Sequence, residues 1–496
     1  GLISGTDVYL GEPTEGTYQD LYVANTVTDA MNKVGNPLTS IEFECSDGPY
    51  CSLSGLRYHP SATAQKMLMC LSQNARMLSF YVFSGGENYL LHQPEPDGNG
   101  RMAFTHQLHG LNAPVQPDGS HNFSFDSISA TAQAIHTLNG LIASSRQETD
   151  GVSLGYIPDY FLTEMAYPAS QKVKELQQNL KQWRCAGAID SAARGMLSNG
   201  IAFDGLDIQG EEIPTGRTLA LLSARYMPAE VQEKLVSFLK AGGRIFLYGE
   251  LPEFDLEGEP CTILLDALSL GQPAYLQGRN PGCFPTLHCT GIFEGVAPDY
   301  VVDLIQAFQP DGSEILTTQD GQMAGFVKVY GQGLVCAVTA GYPADMAFYR
   351  QVWQTLGVTP AWSAPHYRQG IYISSTLSPD GQRLLYLLNL DAFEKRVDIS
   401  WKGEVLFKDF LLTEKAALIL PLGVRAGETE ILSSTAQLVG IEEESLRFRL
   451  SQRGKDEIRL KSAKRPCAAG CSIEKTAEGW LLRPQDSRDL LVTFEV

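Results

Sequence analysis

The sequence predicts a mixed α/β chain in three parts: an incomplete parallel α/β block over residues 1–148, a doubly wound α/β block over 149–365, and an all-β region over 366–496. Three observations predict it. The chain has 496 residues, more than one hydrophobic core ordinarily serves. As far as about residue 365, strand-like apolar runs alternate with helical periodicity, the pattern of βα units around a parallel sheet. Beyond His366 the helical period disappears, and short β-rich runs separated by turn residues take over.

In the first block LISGTDVYL reads as a strand, and TYQDLYVANTVTDAMNKVG as a helix with Val23, Val27, Ala30, Met31 and Val34 on one stripe, stopped by Gly35 and Pro37. PLTSIEFEC is the next strand, SATAQKMLMCLSQNA the next helix, and MLSFYVFSGGENY the third strand. FSFDSISATAQAIHTLNGLIASS closes the block with Ile128, Ile135, Leu138 and Ile142 on one face. Three βα units cannot close a barrel, which takes about 250 residues, so the block reads as the end of something larger. The chain starts at Gly1 and not at Met, and an upstream segment is expected.

In the second block SQKVKELQQNLKQW is an amphipathic helix with Val173, Leu176, Leu180 and Trp183 facing inward. PAEVQEKLVSFLKAGGRIFLYGELP combines Pro228 at a helix start, apolar Val231, Leu235 and Phe238, the stop Gly242-Gly243, and a strand. GLVCAVTAGYP and ADMAFYRQVWQTLG repeat the strand-to-helix step. Without a GxGxxG between strand and helix, a dinucleotide role is not expected, and a structural or oligomerising role is. In the third block IYISSTL, RLLYLLNL, KRVDISW and LLVTFEV are antiparallel strands, with a division into two small modules expected near residue 424.

Composition removes whole classes of function. Against 57 Asp+Glu stand 38 Lys+Arg, a net charge of -19 that disfavours nucleic acid and anionic membrane surfaces. With 44% hydrophobic and 19% charged residues the chain is folded, and no apolar run approaches the ~18 residues of a membrane span. Ten scattered cysteines read as mostly reduced, which places the protein in the cytoplasm. Cys467 and Cys471 could bridge under oxidising conditions, and Cys283 with His288 and Cys289 could suggest a metal. Metal-site spacings such as CxxC or HExxH are missing, so neither metal nor cofactor is expected.

The chemistry concentrates in two strand ends. In PLTSIEFECSDGPYC an apolar strand runs into Glu42 and Glu44, which the two-residue period of a strand puts on one side. The C-terminal ends of parallel barrel strands carry active sites, yet from position alone these carboxylates read equally well as solvated loop residues. SFYVFSGGENY shifts that balance. Its Gly-Gly lets backbone approach a ligand beside the carboxylate of Glu87, the amide of Asn88 and the ring of Tyr81, groups that bind sugar hydroxyls and faces. Taken alone, GGEN is more often just a turn. Tyr9 and Glu12 end the first strand on the same rim, and His106 and His109 lie on the insertion beyond the third. Trp353, Trp362 and Trp401 read as core residues and not as sugar platforms.

Together these segments resemble the β-galactosidases of glycoside hydrolase families 35 and 42, built on a TIM barrel. Pro37-Leu38-Thr39-Ser40-Ile41-Glu42-Phe43 is similar to the seventh barrel strand of family 35, P-L-x-x-x-E-F, whose Glu is the nucleophile. Tyr81 to Tyr89 is similar to its eighth strand, Y-M-F-x-G-G-T-N-F, with Glu87 in place of Thr. Ala113-Pro114-Val115-Gln116-Pro117-Asp118-Gly119 is similar to its later A-P-L-x-x-x-G.

The resemblance implies that residues 1–148 are the C-terminal part of a (β/α)8 TIM barrel. It implies a flavodoxin-like, trimer-forming domain over 149–365, hence a homo-oligomer, and all-β modules after it. The activity it implies is that of a retaining exo-glycosidase, most simply a β-galactosidase. Glu42 would be the nucleophile, and Tyr81, Glu87, Asn88, Glu44 and Tyr9 would contact the carbohydrate substrate. The family's acid/base Glu follows the fourth barrel strand, so an N-terminal barrel half from a cleaved or separate chain is the expected partner. The alternative is a non-catalytic carbohydrate-binding or scaffolding chain; a solenoid is disfavoured because no repeat appears.

Overall fold

The structure, a computed structural model, describes residues 5–32, 35–45, 58–87, 108–161, 169–184, 186–277, 285–365, 369–485 and 487–495. The fold is mixed α/β. It forms two compact units, one of residues 1–148 with 362–496 and one of residues 149–361. The all-β region therefore shares a unit with the first α/β block.

In the first unit β1 (Gly5–Val8), β2 (Leu38–Glu44) and β3 (Ala75–Tyr81) form a parallel sheet in the order β1-β2-β3. Helix α1 (Tyr18–Met31) joins the first pair and α2 (Ala62–Ser72) the second, two consecutive βα units. On β2, Leu38 and Phe43 are buried while Ile41 is exposed, as is Met77 on β3. Among the described residues no other strand pairs with β1 or β3, so both edges and one apolar face of this sheet are open.

Helix α2 is buried at all eleven positions, including Gln65 and Lys66. It is enclosed because the all-β region packs over it. The amide of Gln65 donates to the Asn389 carbonyl at 2.6 Å, and the hydroxyls of Ser72 and Tyr372 lie 2.7 Å apart. The same packing turns α1. Its buried residues are Tyr18, Gln19, Leu21, Tyr22, Val23, Asn25 and Thr26, so Val27, Ala30 and Met31 of the expected stripe are not on the buried face, and Val34 lies outside the described residues. Asn25 and Gln73 satisfy each other at 3.1 Å, and the rings of Tyr18 and Tyr22 meet Tyr372 edge-on, which makes this polar face the better one to bury. The closing helix is interrupted at Leu138, giving α3 (Phe125–Thr137) and a short helix Asn139–Ser144, with Ile128, Leu138 and Ile142 buried.

An eight-stranded sheet dominates the rest of this unit. Strand Ala417–Ala426 pairs with Arg383–Asn389 on one side and Thr429–Ser434 on the other, so the sheet runs continuously through residue 424. Its edge strand Arg146–Gln147 comes from the end of the first block and pairs with Ile371–Leu377.

The second unit holds a nine-stranded sheet. Five strands are parallel, in the spatial order Phe203–Asp207, Val152–Tyr156, Thr218–Ser223, Arg244–Gly249, Gly333–Val338. Numbered along the chain this is 2-1-3-4-5, the flavodoxin-type order. Four antiparallel strands extend it past Gly333–Val338. Helix Ala229–Lys240 buries Val231, Leu235 and Phe238, as its periodicity predicts, and helix Gln171–Arg184 buries Leu176, Leu180 and Trp183 of its expected face while Val173 is half-buried.

Among the described residues no helix is long and apolar enough to cross a membrane. Trp353 and Trp362 are buried, and the half-buried Trp401 has Arg383 and Lys402 cations 4.6 and 4.7 Å from its ring centre.

Candidate active site

Glu42 lies at the C-terminal end of β2, where the strand departs from regular pairing. Thr6 pairs with Ser40 and Asp7 with Glu42, so Ile41 is an extra residue, a β-bulge that shifts the register just before Glu42. Glu42 and Glu44, both beyond that bulge, have different surroundings because their partners differ. The half-buried Glu42 carboxylate accepts a 2.7 Å hydrogen bond from the Tyr9 hydroxyl, which comes from the end of β1. Desolvation of that hydroxyl and the acceptor carboxylate of Glu42 push the Tyr9 phenol above its ordinary value, so it stays a proton donor.

Glu44 is buried at 4% exposure, and its Oε2 takes the Lys66 ammonium at 2.7 Å and the Gly11 N–H at 2.6 Å. Burial pushes the Lys66 ammonium below its ordinary value, opposed by the attraction of Glu44. With φ +72° at Gly11 and the Tyr58 ring 2.9 Å from where a Cβ would stand, only glycine fits that turn. Glu44 thus stands behind the site, tied to the loop that carries Tyr9.

The Tyr81 ring meets Tyr9 and His109 edge-on, each at a centroid distance of 6.3 Å, so Tyr9, Tyr81 and His109 form one aromatic cluster beside Glu42. Beneath it the Cys45 N–H donates to the Tyr81 carbonyl at 3.1 Å and the Cys45 thiol to the Val82 carbonyl at 2.8 Å, fixing the end of β3 to the end of β2. Burial pushes the Cys45 thiol up to about 12, which keeps it protonated and unreactive.

Glu87 is exposed on a two-residue strand, Gly86–Glu87, paired with Leu108–His109. Asn88 and His106 lie outside the described residues. The two glycines before Glu87 differ in purpose. A Cβ on Gly85 would fall 2.6 Å from the Gly110 carbonyl oxygen, whereas one on Gly86 would meet nothing within 4 Å. Close approach at Gly85 is thus to the chain's own backbone.

Glu12 is taken up by partners of its own. Its Oε1 pairs with Lys415 at 2.5 Å and its Oε2 accepts the His59 N–H at 2.9 Å; burial opposes ionisation, but these partners hold the carboxyl below its usual range. The strand patterns had no signal for Lys66 or Lys415, the two buried cations that fix the carboxylates around the site. Elsewhere His288 pairs with Asp299 at 2.8 Å, the Cys289 thiol lies 3.8 Å from the Tyr342 hydroxyl, and Cys283 falls outside the described residues. Cys467 and Cys471 are free thiols.

The geometry offers a carboxylate at a strand end, backed by a phenol donor and flanked by rings, an arrangement suited to attack on, and binding of, a sugar. Comparison with known proteins bears on that reading. Residues 170–288 match a family model described as GLMA-like, second domain, and residues 377–483 one described as GLMA, C-terminal. An exo-beta-D-glucosaminidase of Thermococcus kodakarensis is 26% identical over 468 residues, 91% of this chain and 56% of that protein. One from Pyrococcus horikoshii is 20% identical, over 78% of this chain and 51% of that protein. The chain thus spans about half the length of the curated relatives it matches.

Among solved structures, the beta-galactosidase from Bacillus circulans sp. alkalophilus has a TM-score of 0.63 at 14% identity, covering 84% of this chain and 60% of that one. Gan42B, a GH42 beta-galactosidase from G. stearothermophilus, solved as a catalytic mutant, has a TM-score of 0.64 at 12% identity, covering 84% and 59%. The resemblance read from the strand ends of β2 and β3 therefore holds at the level of fold: this chain is similar, over most of its length, to part of the family 42 β-galactosidases.

Proposed function

We propose that this chain is the nucleophile-bearing portion of a retaining exo-glycosidase, with Glu42 as nucleophile. The observation that carries the reading is the placement of Glu42, at a bulged strand end, within 2.7 Å of a phenol donor and beside the Tyr9–Tyr81–His109 cluster. With Oε2 held by Tyr9, Oε1 is the oxygen offered to an anomeric carbon. As the Glu42–carbon bond forms, the bond to the leaving oxygen breaks, and that oxygen takes a proton from an acid carboxyl. Water then attacks the glycosyl-enzyme, delivering its proton to the same group and releasing Glu42. In retaining enzymes the two carboxyls lie about 5–5.5 Å apart across the sugar. Glu44 cannot be the second, since it is buried against Lys66 behind the site.

We place the acid/base on barrel strands that pair with the open edges of β1 and β3 and cover the exposed Ile41 and Met77. These strands belong to an N-terminal segment or a partner chain. Tyr81, Tyr9 and Glu87 line the sugar side in this reading, and the free thiols fit a reducing, cytoplasmic setting.

The sugar we favour is a terminal β-linked amino sugar, because the sequence relatives that align with 91% and 78% of this chain are glucosaminidases. A β-galactoside is the second reading, favoured by the structural neighbours. The test uses the full-length polypeptide and aryl β-glycosides of glucosamine, galactose and glucose. Glu42→Gln should remove turnover on whichever is cleaved, with unfolding unchanged. Near-normal turnover by Glu42→Gln would refute the nucleophile assignment, and a preference for the galactoside would select the second reading.

A further inference from the structure

The all-β region reaches into the candidate site through one side chain. Lys415 sits in the turn between strands Glu404–Leu412 and Ala417–Ala426, with φ +46°, and is 3% exposed. A non-glycine residue in the left-handed region is uncommon, and a buried lysine is rarer still unless paired. All three ammonium donors of Lys415 have oxygen acceptors: Glu12 Oε1 at 2.5 Å, the Pro13 carbonyl at 3.1 Å and the Leu390 carbonyl at 2.6 Å. The Lys415 carbonyl in turn accepts the Ser61 hydroxyl at 2.6 Å, next to the start of α2. Two of the three ammonium acceptors thus belong to residues 12 and 13 of the loop that follows β1.

That loop is held at nearly every step. Tyr9 donates to Glu42, the Gly11 N–H to Glu44, and Glu12 accepts from Lys415 and from His59. Glu44 is neutralised by Lys66 and Glu12 by Lys415, so two buried cations pin the loop, Lys66 through Glu44 at Gly11 and Lys415 directly at Glu12 and Pro13. Tyr9 is itself 48% exposed, held by its edge-on contact with Tyr81 and by its bond to Glu42. Its place on Glu42 depends on where the loop is held.

We infer that Lys415 is a positioning residue for the candidate active site: through Glu12 and Pro13 it fixes the loop that keeps the Tyr9 hydroxyl on Glu42. The all-β region is then a working part of the site and not an accessory module. The kinetic half of this inference rests on the glycosidase reading; the structural half does not.

The test uses the full-length polypeptide and Lys415→Met, which keeps the length of the side chain and removes the charge. Hydrogen exchange should rise by ~10-fold or more in peptides covering residues 8–16, with peptides of the 149–361 unit unchanged. Unchanged exchange in residues 8–16 overturns the inference, whatever the activity. In turnover, Lys415→Met should lower kcat/KM by ~10-fold, mainly through kcat, and Tyr9→Phe by a similar factor. The double variant should be no worse than either single one, because both remove the same contact. Multiplying losses would show that Lys415 acts independently of Tyr9 and would overturn the inference. A wild-type protein without glycosidase activity would remove the proposed function while the exchange result still decides the brace. Should Lys415→Met fail to fold, Glu12→Gln gives the same readout with a smaller rise in exchange.

Discussion

The Lys66–Glu44 pair offers a prediction whose size follows from its burial. The two side chains are 1% and 6% exposed with Nζ and Oε2 2.7 Å apart, so water screens neither charge. Lys66→Met keeps an unbranched chain in a helix buried on all sides, and leaves Glu44 with only the Gly11 N–H. Removing one partner of a buried pair costs about 3–5 kcal/mol because the other charge is left uncompensated, and the Gly11 N–H, which still solvates that charge, sets the loss at the lower end of the range. The expected loss is therefore about 3 kcal/mol. Replacing both partners, Lys66→Met with Glu44→Gln, removes the stranded charge and should recover about 2 kcal/mol of it. The chain has two units, for which one-step unfolding is not assured, so the assay is native-state hydrogen exchange at β2 and α2 amides. Protection there should fall by about 100-fold in Lys66→Met and recover largely in the double variant. A single-variant loss below about 1 kcal/mol, or additive losses in the double, would refute the claim that this pair is a coupled, dehydrated one.

Three further outcomes follow from the structure. Tyr9→Phe removes a hydrogen bond to a carboxylate at a half-exposed site, about 1–2 kcal/mol, so kcat/KM in the full-length protein should fall about 5–30-fold while unfolding is unchanged; an unaltered kcat/KM would remove Tyr9 from the site. Burial raises the thiols of Cys45 and Cys70 to about 12 and about 11, so the unfolded chain gives up these protons first and stability must fall as pH rises. Each thiol contributes a slope of up to about 1.4 kcal/mol per pH unit above about pH 9, and Cys45→Ala with Cys70→Ala should flatten, against pH, the urea midpoint for the unit that holds β2 and α2; an equally steep loss in that variant would contradict it. The 149–361 unit leaves Ile292, Val301 and Val329 exposed, and light scattering at micromolar concentration should show self-association, which a monomer would contradict.

The sequence was most legible where local patterns decide structure. Helices Gln171–Arg184 and Ala229–Lys240 bury the faces their spacing predicts because each packs on its own sheet. The strand carrying Glu42 was legible from its apolar run and its break at a loop. What could not be read was non-local. The buried face of α1 is set by Tyr372 and Gln73, not by its own valine spacing. Glu42 and Glu44 are two apart on one strand, yet Tyr9 on the one and Lys66 on the other give them different surroundings. Lys415 lies some 400 residues from Glu12 in sequence, and no periodicity connects them. The Gly85-Gly86 pair was read as room for a ligand, whereas Gly85 is needed by the chain's own turn at Gly110.

The central claim is that Glu42 forms the bond to the sugar. An activated 5-fluoro glycosyl fluoride, which leaves the 2-amino group in place, slows release of the glycosyl-enzyme more than its formation and so traps it. Intact mass of the full-length polypeptide after incubation, followed by peptide mapping, tests the claim directly. The account predicts one added fluorosugar on the peptide containing Pro37-Leu38-Thr39-Ser40-Ile41-Glu42-Phe43, fragmenting at Glu42, with none in Glu42→Gln. An adduct on any other carboxylate, or full turnover with no covalent intermediate, would contradict it.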